Sequence, residues 1–142
     1  MESKEKIIDS LRRNGFRATP QRIAIAQFVS SSKDHPTAEQ VFETVKRTFP
    51  SISLSTVYNT LNSMRDAKMI QELAFNNTNR YEPNTRVHIN LVCLNCGAII
   101  DIENKTLEAE VNKISKNRMF SITSHRFDVY GICRKCEKAD QD

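Results

Sequence analysis

Four cysteines constrain this chain more than any other feature. They form two pairs, Cys93-Leu-Asn-Cys96 and Cys133-Arg-Lys-Cys136, separated by residues 97–132. Thiolates at this spacing can hold one metal within a tight turn. Two such knuckles complete a tetrahedral zinc site with zinc–sulfur bonds of about 2.3 Å. Gly97 suits the turn after the first pair. Zinc would join distant stretches and contribute folding energy to a unit with little core. Free buried cysteines, two unrelated dithiols and iron in place of zinc are the competing readings. The N-terminus, MESKEKIIDSLRRNG, lacks the apolar core of a signal peptide. A cytoplasmic setting is therefore expected, which disfavours disulfides. No apolar run approaches the length that spans a bilayer, so no membrane partner is expected.

The first half reads as short helices followed by a hairpin. Ile7, Ile8 and Leu11 form one helical stripe that ends at Gly15. Thr19–Pro20 is a helix start, with Ile23, Ala24, Ala26 and Phe28 as its buried side. Thr37-Ala-Glu-Gln40 is a capping box, followed by the inward residues Val41, Phe42 and Val45. Ser53 caps the next helix, where Leu54, Val57, Leu61 and Met64 recur at helical spacing. Residues 69–75 and 79–83 flank an Asn-Asn-Thr turn and read as antiparallel strands. This order fits a winged helix-turn-helix over residues 1–83.

The second half, from residue 84, reads as a small α/β unit. Residues 87–93 alternate, with Val87, Ile89 and Leu91 on one side and His88 and Asn90 on the other. Strands are expected over 98–102 and 120–132, with a helix over 105–116 between them. The overall class is thus α+β.

Charge is distributed unevenly. Residues 1–30 carry six Lys/Arg against three Asp/Glu, whereas residues 84–142 carry nine against eight. A basic N-terminal half suits nucleic acid, although the formal excess of +4 over the whole chain is modest. No nucleophile-plus-base triad or phosphate loop is present, so an enzyme is not expected. His35, Glu82, His88, Asn90 and Asp101 supply the nitrogen and oxygen donors suited to Fe, Mn or Zn. A turn histidine, a strand histidine and a solvated glutamate would be the plain structural alternative.

Six ordered stretches carry a family resemblance: FRATPQRIAI (16–25), HPTAEQVFETVK (35–46), ISLSTVYNTLNSM (52–64), NRYEP (79–83), CLNCG (93–97) and HRFDVYGICRKC (125–136). Through them the sequence resembles the ferric uptake regulator family, including its zinc, manganese and peroxide-sensing branches. The resemblance implies a homodimeric, metal-dependent DNA-binding regulator, usually a repressor. Residues 84–142 would then be the dimerisation domain, with structural zinc on Cys93, Cys96, Cys133 and Cys136. It also implies a regulatory metal on His35, Glu82, His88, Asn90 and Asp101, with Fe(II) or Mn(II) favoured over Zn(II). Asn90 stands where the family has a second histidine, and an amide oxygen is the harder donor.

The family's further sensory site is reduced here to Glu108 and His125, because Val87 and Ile89 fill its other two positions. The recognition helix would carry Tyr58 as the main groove contact, with Ser55, Thr56 and Asn59 beside it. Arg17 and Arg22 would steady the backbone of a palindromic A·T-rich operator, with the minor groove as the alternative place for Arg17. Iron or manganese homeostasis is the leading expectation. Peroxide sensing through regulatory iron, or metal-independent DNA binding with structural zinc alone, are the alternatives.

Overall fold

The computed structural model describes residues 3–75 and 77–140. Asn76, part of the expected Asn-Asn-Thr turn, lies outside them. The chain divides into two units, Met1–Thr85 and Arg86–Asp142.

Unit 1 contains helices α1 (Lys4–Arg13), α2 (Pro20–Ser31), α3 (Ala38–Lys46) and α4 (Leu54–Asp66), then strands β1 (Gln71–Phe75) and β2 (Thr78–Glu82). This is the helix-plus-hairpin arrangement of a winged helix. Local chemistry starts each helix. The Ser3, Thr19 and Ser53 side chains accept backbone N–H groups at α1, α2 and α4. Thr37 and Gln40 cap α3 reciprocally, at 3.2 and 2.9 Å. After α1, Gly15 takes a φ of 80°, which favours glycine.

Packing corrects one helical phase. The α2 residues that bury fully are Ile23, Ile25, Ala26 and Val29, whereas Ala24 and Phe28 are half-buried. Helix α2 packs against α1, α3, α4 and β2, so it is apolar on several sides instead of one. In α4, Val57, Leu61 and Met64 are buried as expected, but Leu54 is exposed and Thr60 takes a buried place. One apolar cluster runs from Ile7 in α1 to Tyr81 in β2. Arg65 at the end of α4 bonds Glu72 in β1, tying the helix to the hairpin.

Unit 2 contains β3 (His88–Cys93), β4 (Ile99–Glu103), α5 (Lys105–Asn117), β5 (Phe127–Gly131) and α6 (Arg134–Ala139). The sheet order is β4-β3-β5. Strand β3 runs antiparallel to β4 and parallel to β5, which requires the crossover through α5.

Two expectations need correction here. The final strand covers only Phe127–Gly131, because residues 89–93 of β3 provide its ladder; residues 120–126 have no strand partner. A short helix, α6, carries Cys136 where no helix was expected.

The sheet has one apolar and one polar face. Ile89, Leu91, Ile100, Ile102, Phe127 and Val129 share the first, by their register. Its members Leu91, Ile100, Ile102 and Val129 are exposed in the single chain. His88, Asn90, Asp101 and Asp128 share the other face. There His88 and Asn90 are 3% and 1% exposed, so this unit buries its polar side chains more deeply than its apolar ones.

Candidate metal centre

The cysteine cluster is assembled by a hairpin and a helix start. Cys93 ends β3. Its N–H donates to the Ala98 carbonyl, and its carbonyl accepts the Gly97 N–H, both at 2.9 Å. Gly97 sits at a φ of 72°, the conformation that lets the knuckle turn back into β4. Cys133 caps α6, and its N–H donates to the Cys93 sulfur at 3.3 Å. The four sulfurs lie within 4.8 Å of one another.

Closest separations are 3.9 Å for Cys93–Cys136 and 3.8 Å for Cys96–Cys133. A disulfide needs about 2.05 Å. A tetrahedron with zinc–sulfur bonds of about 2.3 Å has edges of about 3.8 Å. The donor set therefore fits one zinc. Backbone N–H groups of Cys96, then Cys133, hold the Cys93 thiol down to about 6. Cys136 is pushed up to about 12, first by its hydrogen bond with Cys133 and then by burial. Cys93 is thus the readiest thiolate of the metal-free cluster.

Unit 1 presents a second, smaller donor pair. His35 precedes Pro36, whose carbonyl accepts the Tyr81 N–H at 2.9 Å, while Thr37 bridges Arg80. These contacts bring the turn alongside β2. His35 Nε2 lies 2.8 Å from Glu82 Oε2, and the two residues are 3% and 1% exposed. His35 has a φ of 50°, a left-handed conformation that costs on the order of 1–3 kcal/mol in a residue with a side chain. A strained histidine buried against a carboxylate is a costly arrangement, of the kind found where a site needs its donors fixed.

Unit 2 presents a third group of donors. Asn90 lies in one row between Asp101 of β4 and Asp128 of β5. His88 Nδ1 is 2.8 Å from the Arg86 carbonyl, and His88 Nε2 is 3.1 Å from Asn90 Oδ1. A carbonyl only accepts, so Nδ1 carries the hydrogen and donates to it. Metal-binding histidines are commonly oriented in this way.

Asp128 was not legible as part of this group. It accepts from Asn90 Nδ2 at 3.1 Å, and only the parallel pairing of β3 with β5 brings it there. His125 is half-buried and stacks on Phe127 with ring centroids 6.2 Å apart, which matches a packing role. Glu108 is half-buried on α5.

The residues expected to meet DNA lie in unit 1. Ser55 and Asn59 are exposed on α4. The Thr56 hydroxyl bonds the Ser53 cap at 2.9 Å. Tyr58 is half-buried and donates its hydroxyl to Glu39 Oε1 at 2.6 Å. That bond holds the Glu39 carboxyl below its ordinary range and raises the Tyr58 phenol. Arg17 is exposed, and Arg22 Nη1 donates to the Arg17 carbonyl at 3.4 Å. No described helix is long and apolar enough to cross a membrane.

Comparison with known proteins agrees with this architecture. The chain is 36% identical over 135 residues to the peroxide-responsive repressor PerR of Staphylococcus aureus, covering 94% of this chain and 90% of the relative. Its structure is similar to that of the Helicobacter pylori ferric uptake regulator Fur, a protein with three functional metal-binding sites. That match has a TM-score of 0.77 at 25% identity and covers 96% of this chain and 95% of the other. A zinc-bound manganese uptake regulator matches with a TM-score of 0.66 at 30% identity, over 89% and 98% of the two chains. The ferric uptake regulator family profile matches residues 13–130, and with these likenesses the chain belongs to the ferric uptake regulator family.

Proposed function

We propose that this protein is a cytoplasmic, homodimeric, metal-dependent repressor that binds a palindromic A·T-rich DNA operator and controls iron or manganese homeostasis. Family membership supports transcriptional regulation. The observation that carries metal dependence is the pair of buried donor groups, His35 with Glu82 in one unit and His88 with Asn90 in the other. Four thiolates hold structural zinc. His35, Glu82, His88, Asn90 and Asp101 together hold the regulatory ion, which supplies a positive charge that these donors share.

His35 and Glu82 belong to the DNA-reading half, whereas His88, Asn90 and Asp101 belong to the other. A ligand set drawn from both halves binds best when their relative arrangement is fixed. The same arrangement suits two reading heads on two half-sites, so metal shifts the population toward DNA binding. Coupling of about 1–3 kcal/mol gives roughly 5–150-fold control. The exposed apolar sheet face supports a second copy as the partner. On DNA, Tyr58, Ser55, Thr56 and Asn59 read the groove, with Arg17 and Arg22 on the backbone. The test is operator affinity with and without Mn(II) or Fe(II), for the native chain and for His88→Ala. Metal should raise native affinity only. An equal rise in the variant would remove this assignment.

A second reading, peroxide-responsive repression through regulatory iron, is favoured by the 36% identity to the Staphylococcus aureus PerR. His35 and His88 are then the side chains that the bound iron would oxidise. The iron-loaded protein should lose operator affinity after low-micromolar peroxide and gain oxygen mass on one histidine, while the manganese-loaded protein should not. Unchanged affinity and mass would leave metal homeostasis alone.

A further inference from the structure

The surface of unit 1 holds one short hydrogen bond between two helices. Tyr58, on α4, donates its hydroxyl to Glu39 Oε1 on α3 at 2.6 Å. The bond itself holds the Glu39 carboxyl below its ordinary range, so at neutral pH the carboxylate has no hydrogen and only accepts. The raised Tyr58 phenol keeps its hydrogen. Bonds from a hydroxyl to a charged oxygen at this length are among the stronger ones. Both backbones are held in place. Glu39 is exposed, but it lies inside the capping box of Thr37 and Gln40, and its neighbours Ala38 and Val41 are buried. Tyr58 follows the buried Val57, and Leu61 is buried one turn on. The freedom left to Tyr58 is rotation about its two side-chain torsions, and the bond to Glu39 removes it.

A phenol hydroxyl has one hydrogen. Committed to Glu39, it is not available to a phosphate or a base. What Tyr58 offers DNA is then its ring, set at one angle beside the exposed Ser55 and Asn59. Glu39 also places a negative charge next to the reading helix. A carboxylate there repels phosphate whatever the sequence, so it lowers general affinity. What it can add is discrimination between sequences.

We propose that Glu39 is a positioning residue for operator reading: it locks the Tyr58 ring before DNA arrives and raises specificity without touching a base. The inference rests on the assignment of Tyr58 as a groove reader and deepens it.

The experiment uses the full-length, Mn(II)-loaded protein and two duplexes of equal length. One is selected by the native chain from random sequence, and the other is a scrambled version of it. The ratio of the two affinities is the readout. Ordering one side chain on binding costs about 2–10-fold, so with two copies on two half-sites Glu39→Ala should lower the ratio by about 4–100-fold. Affinity for the scrambled duplex should not fall, whereas a folding defect would lower both. Glu39→Gln keeps an accepting oxygen and should keep the native ratio. In a Tyr58→Phe background, which lacks the hydroxyl, Glu39→Ala should lower the ratio no further.

A native ratio in Glu39→Ala overturns the inference while leaving Tyr58 as a reader. So does an equal loss from Glu39→Ala in the native and Tyr58→Phe backgrounds, because Glu39 would then act independently of the hydroxyl. An equal loss in Glu39→Gln and Glu39→Ala also overturns it. If the native chain selects no sequence, or if Tyr58→Ala keeps the native ratio, the assignment of Tyr58 fails and the inference fails with it.

Discussion

Loss of the zinc should unfold unit 2 while unit 1 remains folded. Among the described residues, the buried apolar side chains of unit 2 are Val92, Cys93 and Cys136, and two of these belong to the cysteine cluster. Helix α5 buries none of its residues. Burying a side chain such as Val92 contributes only about 1.5–3 kcal/mol. Structural zinc contributes on the order of 10–16 kcal/mol in small zinc-dependent folds, as much as the whole net stability of a typical domain. Unit 1 has its own core from Ile7 to Tyr81 and does not depend on the metal.

The perturbation is Cys136→Ser, or exhaustive chelation of the native chain. The assay is hydrogen exchange read by mass spectrometry, with metal content measured on the same sample. Amides of β3, β4 and β5 should lose protection, while those of α2, α3 and α4 keep theirs. The dimer should dissociate as its apolar sheet face is lost. Native protection across β3–β5 in metal-free protein would refute the reasoning.

Two further outcomes follow from the geometry. Tyr81 is buried in unit 1, and burial, then the nearby Glu72 charge, pushes its phenol up to about 12. Its contribution is complete below an unfolded pKa of about 10 and is lost as pH rises through 10 to 12. The raised phenol bounds that loss at roughly 3 kcal/mol, and solvent screening leaves on the order of 1–2 kcal/mol. Denaturant titrations should show this alkaline loss in the native chain and not in Tyr81→Phe; equal pH dependence in both would refute it. Gly97→Ala meets no steric neighbour but must adopt a φ of 72°. It should lower the melting temperature of unit 2 by the equivalent of about 1 kcal/mol and speed zinc release to a chelator, because only backbone strain in the knuckle has changed. Unchanged melting and release would contradict that.

Chemistry local to a few residues was legible in the sequence. The caps at Thr19, Thr37 and Ser53 are set by neighbours within one helical turn. The cysteine spacing named a four-thiolate cluster before any fold was known, because each C-x-x-C closes within its own turn. What depends on distant partners was not legible. Ile25 and Val29 bury because α2 is enclosed by other elements on several sides, a fact absent from its own periodicity. The strand alternation at His88–Leu91 was read correctly, but the polar residues are the deeply buried ones. Residues 120–126 look like strand and lack a ladder partner. Asp128 reaches Asn90 only through the register of two parallel strands, which no local pattern encodes.

In the proposed mechanism this chain carries two different metals with different duties. The most direct measurement purifies it without oxygen, applies mild chelation, and counts metals per chain by elemental mass spectrometry. Fe(II), Mn(II) and Zn(II) are then titrated back separately while operator affinity is followed. One retained zinc, about one exchangeable ion per chain, and operator affinity that rises as that ion binds are the expected result. One zinc with no specific second ion, and operator binding indifferent to added metal, would contradict it.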